Sequence, residues 1–364
     1  MRMQGLRRPQ SGVHAGRGGA GHDRQDRDRY QDERMKALVY HEYGSPDVLQ
    51  LRDVEMPVPR SNELRIRMRA ASLNPADLYL MRGSPYMLRF KIGLKRPKNN
   101  GVGLDFAGVV DAVGDGVTSL RVGDEVFGQI SDFSTGRTRA LAEYLCVGAA
   151  LAVKKPQGIG FAEIASIPLA GSTALFAVRD YGQVTSGQHV LINGAGGGVG
   201  VHAVQLAKHF GATVTAVCSE AKRSLMQEIG ADHVIDYRKQ DFTAGSTRYD
   251  TIIDTVSSQS LRRCRQVLVP QGRFVWVGGT GKTHWFGPLR LALNVLAMPL
   301  FDRRHRWILA SKAPTAEDLA TLAGLLEQGA FRPVIDRRYP LADAADAIRH
   351  LEKGHACGKI VVEI

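Results

Sequence analysis

Residues 189–200, H-V-L-I-N-G-A-G-G-G-V-G, limit the fold more than any other stretch of the chain. The apolar run at 190–192 is too short for a helix and suits a buried parallel strand. Glycines follow at once. Residues 201–210 then carry apolar side chains at helical spacing, up to a stop at Gly211. Strand, glycine turn and helix make a cradle for an anion. The free N–H groups and the dipole of the helix N-terminus attract negative charge, and side chains on the turn would hold a phosphate off. Ala195, Gly197 and Gly200 fit the spacing A-x-G-x-x-G, with Ala in place of the first Gly of the dinucleotide fingerprint and Gly198 and Val199 in between. The plainer alternative is an ordinary tight turn between strand and helix.

The next strand, 213–217, bears on which nucleotide is bound. NAD sites place an Asp or Glu at the tip of this strand, about 20 residues on, to hold the ribose hydroxyls. Here the tip is Cys218-Ser219, followed by Glu220, Lys222 and Arg223. Ser219 can donate a hydrogen bond to a 2′-phosphate, and Lys222 and Arg223 can offset its charge. The pattern predicts NADPH. Against it stand Glu220, one residue late but able to turn inward, and the reading of Lys222 and Arg223 as a solvated pair.

The chain is long enough for two domains, and its net charge is +12. The first 34 residues hold eight Arg and five acids, so most of the excess lies on the body. A basic body suits an anionic ligand such as NADPH. No aromatic-plus-basic cluster makes nucleic acid the main partner, and peripheral membrane contact is a lesser alternative. Cys146, Cys218, Cys264 and Cys357 are scattered, which argues for a reducing, cytoplasmic compartment.

In chain order, residues 1–34 are too poor in apolar side chains to fold and read as a disordered tail. Residues 35–158 hold several short strands between turns, the mark of a small all-β domain. The segment 63–70 alternates with polar residues out and apolar residues in. Residues 159–305 alternate strands with helices and predict a doubly wound parallel sheet. Residues 306–364 are expected to return and complete the β domain. The apolar stretch 285–301 is short for a membrane span and is read as a pocket wall or a subunit contact. Residues 87–100, with five cations among apolar residues, read as a basic lip over a cleft or as a solvated loop.

Asn74-Pro75-Ala76-Asp77, Gly103-Leu104-Asp105-Phe106-Ala107-Gly108, Val122-Gly123-Asp124-Glu125-Val126-Phe127-Gly128, the loop ending at Gly200, Gly230-Ala231-Asp232-His233-Val234-Ile235-Asp236-Tyr237 and Gly358-Lys359-Ile360-Val361 occur in order. The chain from Met35 to Ile364 thereby resembles the medium-chain dehydrogenase/reductase superfamily, in its zinc-free quinone oxidoreductase-like branch. The resemblance implies an α/β fold: a GroES-like β-rich catalytic domain, a Rossmann domain, a cleft between them, and a dimer or tetramer with the homodimer favoured. Zinc alcohol dehydrogenases carry a Cys where this chain runs Ser72-Leu73-Asn74 and His-Glu where it has Asp105-Phe106. The four-cysteine lobe is missing as well, so no metal is expected. The resemblance implies hydride transfer from NADPH to a quinone or an α,β-unsaturated carbonyl. The alternatives are an NADPH-binding sensor or structural protein with little turnover, and a carbonyl or alcohol dehydrogenase.

The resemblance also nominates residues. Asn74 would hydrogen-bond a substrate oxygen, or only cap its own turn. Asp77 reads as a helix-cap partner. Tyr79 would donate to the developing oxyanion, or is a half-buried helix Tyr with water as the proton donor. Thr173 would lie near the nicotinamide ribose, or bond back to its own helix. Tyr237 would lie near the 2′-phosphate in register with Lys222. Gly278 and Gly279 would let backbone approach the nicotinamide.

Overall fold

The computed structural model describes residues 33–131, 140–278 and 289–364. The first part holds β1 (Arg34–Val39), β2 (Gln50–Glu55), β3 (Glu63–Ser72), helix α1 (Pro75–Arg82), the one-turn α2 (Arg89–Ile92), β4 (Asp105–Val113), β5 (Glu125–Gln129), β6 (Tyr144–Gly148) and β7 (Ala152–Lys154). In β3 the expected alternation puts Leu64, Ile66 and Met68 in the core. It fails at Arg65, which is buried because Asp111 pairs with it at 2.6 Å and the Tyr144 ring lies 5.8 Å away.

The second part runs α3 (Phe161–Ala165), α4 (Pro168–Leu175), β8 (His189–Asn193), α5 (Gly198–His209), β9 (Thr213–Cys218), α6 (Arg223–Glu228), β10 (His233–Asp236), β11 (Tyr249–Asp254), α7 (Leu261–Gln266), β12 (Leu268–Trp276), α8 (Leu289–Phe301) and β13 (Arg306–Leu309). Strands β8 to β13 are all parallel, in the order β10-β9-β8-β11-β12-β13. The chain winds outward from β8 in both directions, so the topological switch lies between β8 and β11, where a doubly wound sheet binds its ligand. Val190, Leu191 and Ile192 are fully buried, as helices on both faces require. The apolar face of α5 (Val201, Val204, Leu206 and Ala207) packs into the same core.

The chain ends with α9 (Ala316–Glu327), β14 (Ile335–Pro340), α10 (Ala344–Glu352) and β15 (Lys359–Glu363). Strand β15 pairs antiparallel with β3 and parallel with β14, completing a seven-stranded sheet with β3 to β7. The return to the first domain therefore begins later than residue 306. Arg306–Leu309 is an edge strand of the parallel sheet, and Leu322 of α9 packs beside Gly171 of α4. The first strand starts at Arg34, one residue inside the stretch read as tail, while residues 1–32 lie outside the described residues. Helix α8 buries Val295 against a cluster that includes Phe274, Trp276 and Trp307 and exposes Leu293, Leu296, Leu300 and Phe301. Among the described residues no helix is long and apolar enough to cross a membrane.

Candidate active site

The glycine turn sits at the C-terminal end of β8, on the switch point. Gly194 has φ +84°, a left-handed conformation that favours glycine. Gly197 N–H donates to Gly194 O at 3.1 Å and closes the turn. A Cβ on Gly200 would lie 2.3 Å from Gly194 O and 2.5 Å from Ala195 O, so only glycine lets α5 close on the strand. Ala195 is fully buried beneath the turn. Gly198, Val199 and Gly200 form the first turn of α5, whose N–H groups a helix leaves without intrahelical acceptors. This cradle fits a dinucleotide pyrophosphate.

Ser219 follows directly on β9, as the sequence suggested. Lys222 turns back over the glycine loop, where its Nζ donates to Gly196 O at 3.0 Å and to Ala356 O at 2.5 Å. Arg223 is not a free counter-charge: it pairs with Glu220 at 2.6 Å and donates to Val234 O at 3.1 Å. Lys239 also pairs with Glu220, at 3.3 Å, so Glu220 serves its cationic neighbours. Tyr237 is exposed just past β10. Thr173 Oγ1 donates to Leu169 O at 2.7 Å, so its hydroxyl is spent within its own helix. A Cβ on Gly278 would meet only open space, and Gly279 lies outside the described residues.

A buried polar network links β3, β4, β15 and the start of α1 in the first domain to the start of α4 in the second part. Asn74 is 1% exposed. Its Nδ2 donates to Asp105 Oδ2 at 2.9 Å, and its Oδ1 accepts from Lys359 Nζ at 2.5 Å. Both ends of the amide are engaged, so Asn74 organises the site rather than presenting its amide to a substrate. Its backbone N–H donates to Asp77 Oδ2 at 2.7 Å, which bears out Asp77 as the partner at the start of α1. Asp105 also accepts from Ser72 Oγ at 2.9 Å and Leu169 N at 3.0 Å. Lys359 Nζ donates to Leu73 O at 2.8 Å and stands 3.6 Å from Asp105 Oδ2. Burial pushes the Asp105 carboxyl up and the Lys359 ammonium down, while each is the other's counter-charge. Burial also lifts the Asp77 carboxyl to about 7.

Lys359 reaches the network past the nucleotide loop. A Cβ on Gly198 would come within 2.9 Å of Lys359 Cδ, Gly197 and Gly358 form a parallel bridge, and Gly358 N–H donates to Gly196 O at 3.2 Å. The first turn of α5 thus rests on the lysine stem whose head holds Asn74. His202, also on α5, is fully buried, with the Ser166 backbone beside its ring. Burial, and then the charge of Lys359, lowers it to about 4, so it is neutral. Tyr79 is half-buried on α1, and burial holds its phenol above the ordinary value. Neither Lys359 nor His202 was singled out from the sequence. The signal available was a lysine opening the apolar strand K-I-V-V, where a charge needs a buried partner.

The residues around Asp105 do not fit a zinc centre. Both its oxygens accept hydrogen bonds, its nearest companions are Ser72, Asn74 and Lys359, and no group of three His, Cys, Asp or Glu side chains suited to a metal occurs among the described residues.

A GroES-like β domain and a doubly wound sheet with a pyrophosphate cradle facing the cleft define a two-domain dinucleotide enzyme. Residues 60–175 match the alcohol dehydrogenase GroES-like domain, and residues 229–362 match the family described as zinc-binding dehydrogenase. The chain is 33% identical to a chloroplast envelope quinone oxidoreductase homolog of Arabidopsis thaliana, covering 90% of this chain and 98% of that one. It is 35% identical to 2-methylene-furan-3-one reductase of Solanum lycopersicum (90% and 79%) and 33% identical to an NADPH-dependent alkenal/one oxidoreductase of Arabidopsis thaliana (90% and 79%). The solved quinone oxidoreductase from Coxiella burnetii superposes with a TM-score of 0.80 at 31% identity, over 91% of this chain and all of that one. The chain belongs to the medium-chain dehydrogenase/reductase superfamily, in its quinone oxidoreductase-like branch.

Proposed function

We propose that this protein is a metal-independent reductase that uses NADPH to reduce a quinone or the β-carbon of an α,β-unsaturated carbonyl. The observation that carries the reading is the glycine cradle at the switch point, tied through Lys359 to the buried Asn74–Asp105 cluster across the cleft. Gly197, Gly198, Val199 and Gly200 would hold the pyrophosphate, and Ser219 and Lys222 the 2′-phosphate, with Tyr237 alongside. Bound NADPH supplies the hydride. The chain's own part is to fix the geometry and to meet the charge that develops on the substrate oxygen. Tyr79 stays protonated at neutral pH, and we assign it as donor to that oxygen. The names of the relatives, quinone oxidoreductases and enone reductases, support this substrate class.

We infer a homodimer, supported by the exposed Leu293, Leu296, Leu300 and Phe301 on α8 next to the open edge strand β13. Four free cysteines support a reducing compartment, by our reading the cytoplasm. The test is NADPH consumption with a panel of quinones and enals, beside Lys222→Ala and Tyr79→Phe. Lys222→Ala should weaken NADPH roughly tenfold or more while sparing NADH, the loss of one charge-assisted contact. Tyr79→Phe should lower kcat without changing nucleotide affinity. Stoichiometric NADPH binding with no turnover on any member of the panel would overturn the reading.

A further inference from the structure

Beyond Tyr79 the chain turns at Gly83 into a segment that the core anchors at Ile92 and otherwise leaves largely uncovered. Met87, Phe90 and Leu94 stand 48%, 76% and 62% exposed. Lys91, Lys95, Arg96 and Lys98 are exposed around them, and none has a carboxylate partner among the described residues. From residue 78 to residue 104 the sequence contains no acid at all.

The exposure does not come from a loose end. Arg89 stacks between the rings of Tyr43 at 4.5 Å and Tyr86 at 4.6 Å and donates to Gly83 O at 2.9 Å. Tyr43 Oη donates to Gly93 O at 2.6 Å, and Lys98 N–H donates to Ile92 O at 2.8 Å. Ile92 is buried in the wall of a small cavity shared with Asp77, Leu80 and Met81 of α1. The apolar tips are held outward, at the end of the helix that carries Tyr79.

We propose that residues 83–100 dock on an anionic phospholipid bilayer, and that the substrate is a quinone or lipid-derived enone drawn from the membrane phase. Apolar tips ringed by unpaired cations match the headgroup–acyl boundary of such a surface. A second copy of the chain fits the patch poorly, because two-fold pairing would set the four cations of one copy against those of the other. The substrate clause rests on the reductase reading above, whereas the docking clause does not.

The test is co-sedimentation of the full chain with vesicles of phosphatidylcholine mixed with phosphatidylglycerol and with vesicles of phosphatidylcholine alone. Binding should require the anionic lipid and weaken with salt. Lys91→Gln and Lys95→Gln should each reduce it about fivefold, the loss of one charge near the surface. The double variant Phe90→Ser, Leu94→Ser should abolish it, yet keep kcat/KM for a water-soluble short-chain quinone and lose turnover of a long-tailed quinone embedded in the anionic vesicles. No binding to anionic vesicles would overturn the proposal, as would a self-association that the double variant abolishes. Vesicle binding by a protein inactive on every quinone and enone would overturn the reductase reading and leave the docking surface standing.

Discussion

At the scale of single residues, burial decides what each titratable group can do. His202 sits in the core on α5, edge-on to Phe331 with ring centroids 5.6 Å apart, and its imidazole is lowered from 6.5 to about 4. A histidine depressed on folding leaves the unfolded chain binding more protons below its ordinary value. Its contribution is intact above pH 6.5 and is lost as pH falls to about 4. Across that window the loss reaches about 3 kcal/mol. His202→Leu should therefore flatten the acid side of the stability curve. Urea denaturation at a series of pH values checks this, and a variant whose curve parallels the parent would remove His202 from the account. Asn74 teaches the complementary lesson. Its amide was legible as polar and near the chemistry, but the carbonyl end is held by a lysine 285 positions away, which no local pattern reveals.

At the scale of elements, the strand–turn–helix around residues 189–209 was readable because each of its parts has one physical use. A doubly buried strand must be apolar, a phosphate cradle must lack side chains, and the helix must be amphipathic. Gly200 is the sharpest case, since its missing Cβ makes room for two carbonyl oxygens. Gly200→Ala should push α5 off β8, lowering stability by about 1–3 kcal/mol and NADPH affinity by roughly tenfold or more. Thermal denaturation and calorimetric titration measure the two effects, and an unchanged affinity would show that the cradle is not used. What was not legible at this scale was where side chains on short connectors end up. Lys222 and Arg223 are adjacent and equally cationic, yet Lys222 turns onto the glycine loop while Arg223 turns onto Glu220 and Val234. The strand boundary near residue 306 was missed for a similar reason. The apolar run W-I-L is short and follows Arg303, Arg304, His305 and Arg306, so it does not look like a buried parallel strand, but β13 is an edge strand with one open side.

At the scale of the whole molecule, the two domains are joined where the chemistry is expected. Strand β15 brings the end of the chain back beside β3, and Lys359 spans from the base of the nucleotide helix to Asn74 and Asp105. The lysine therefore fixes the separation between the two halves of the site as well as neutralising a buried carboxylate. Lys359→Met keeps most of the apolar stem and removes the head. It should leave Asp105 without its counter-charge and lower stability by about 3–5 kcal/mol, the penalty for breaking a buried pair. Adding Asp105→Asn removes the stranded charge and should recover much of that stability. The recovery should not extend to catalysis, because the Asn74 amide would still lack the donor that orients it. A purely structural lysine predicts that kcat returns along with stability in the double variant. A positioning lysine predicts that stability returns, that NADPH affinity changes by no more than a few-fold, and that kcat stays at least about tenfold down, equivalent to 1.4 kcal/mol in the barrier. Measuring all three quantities on the same pair of variants separates an interdomain strut from an ordinary buried ion pair.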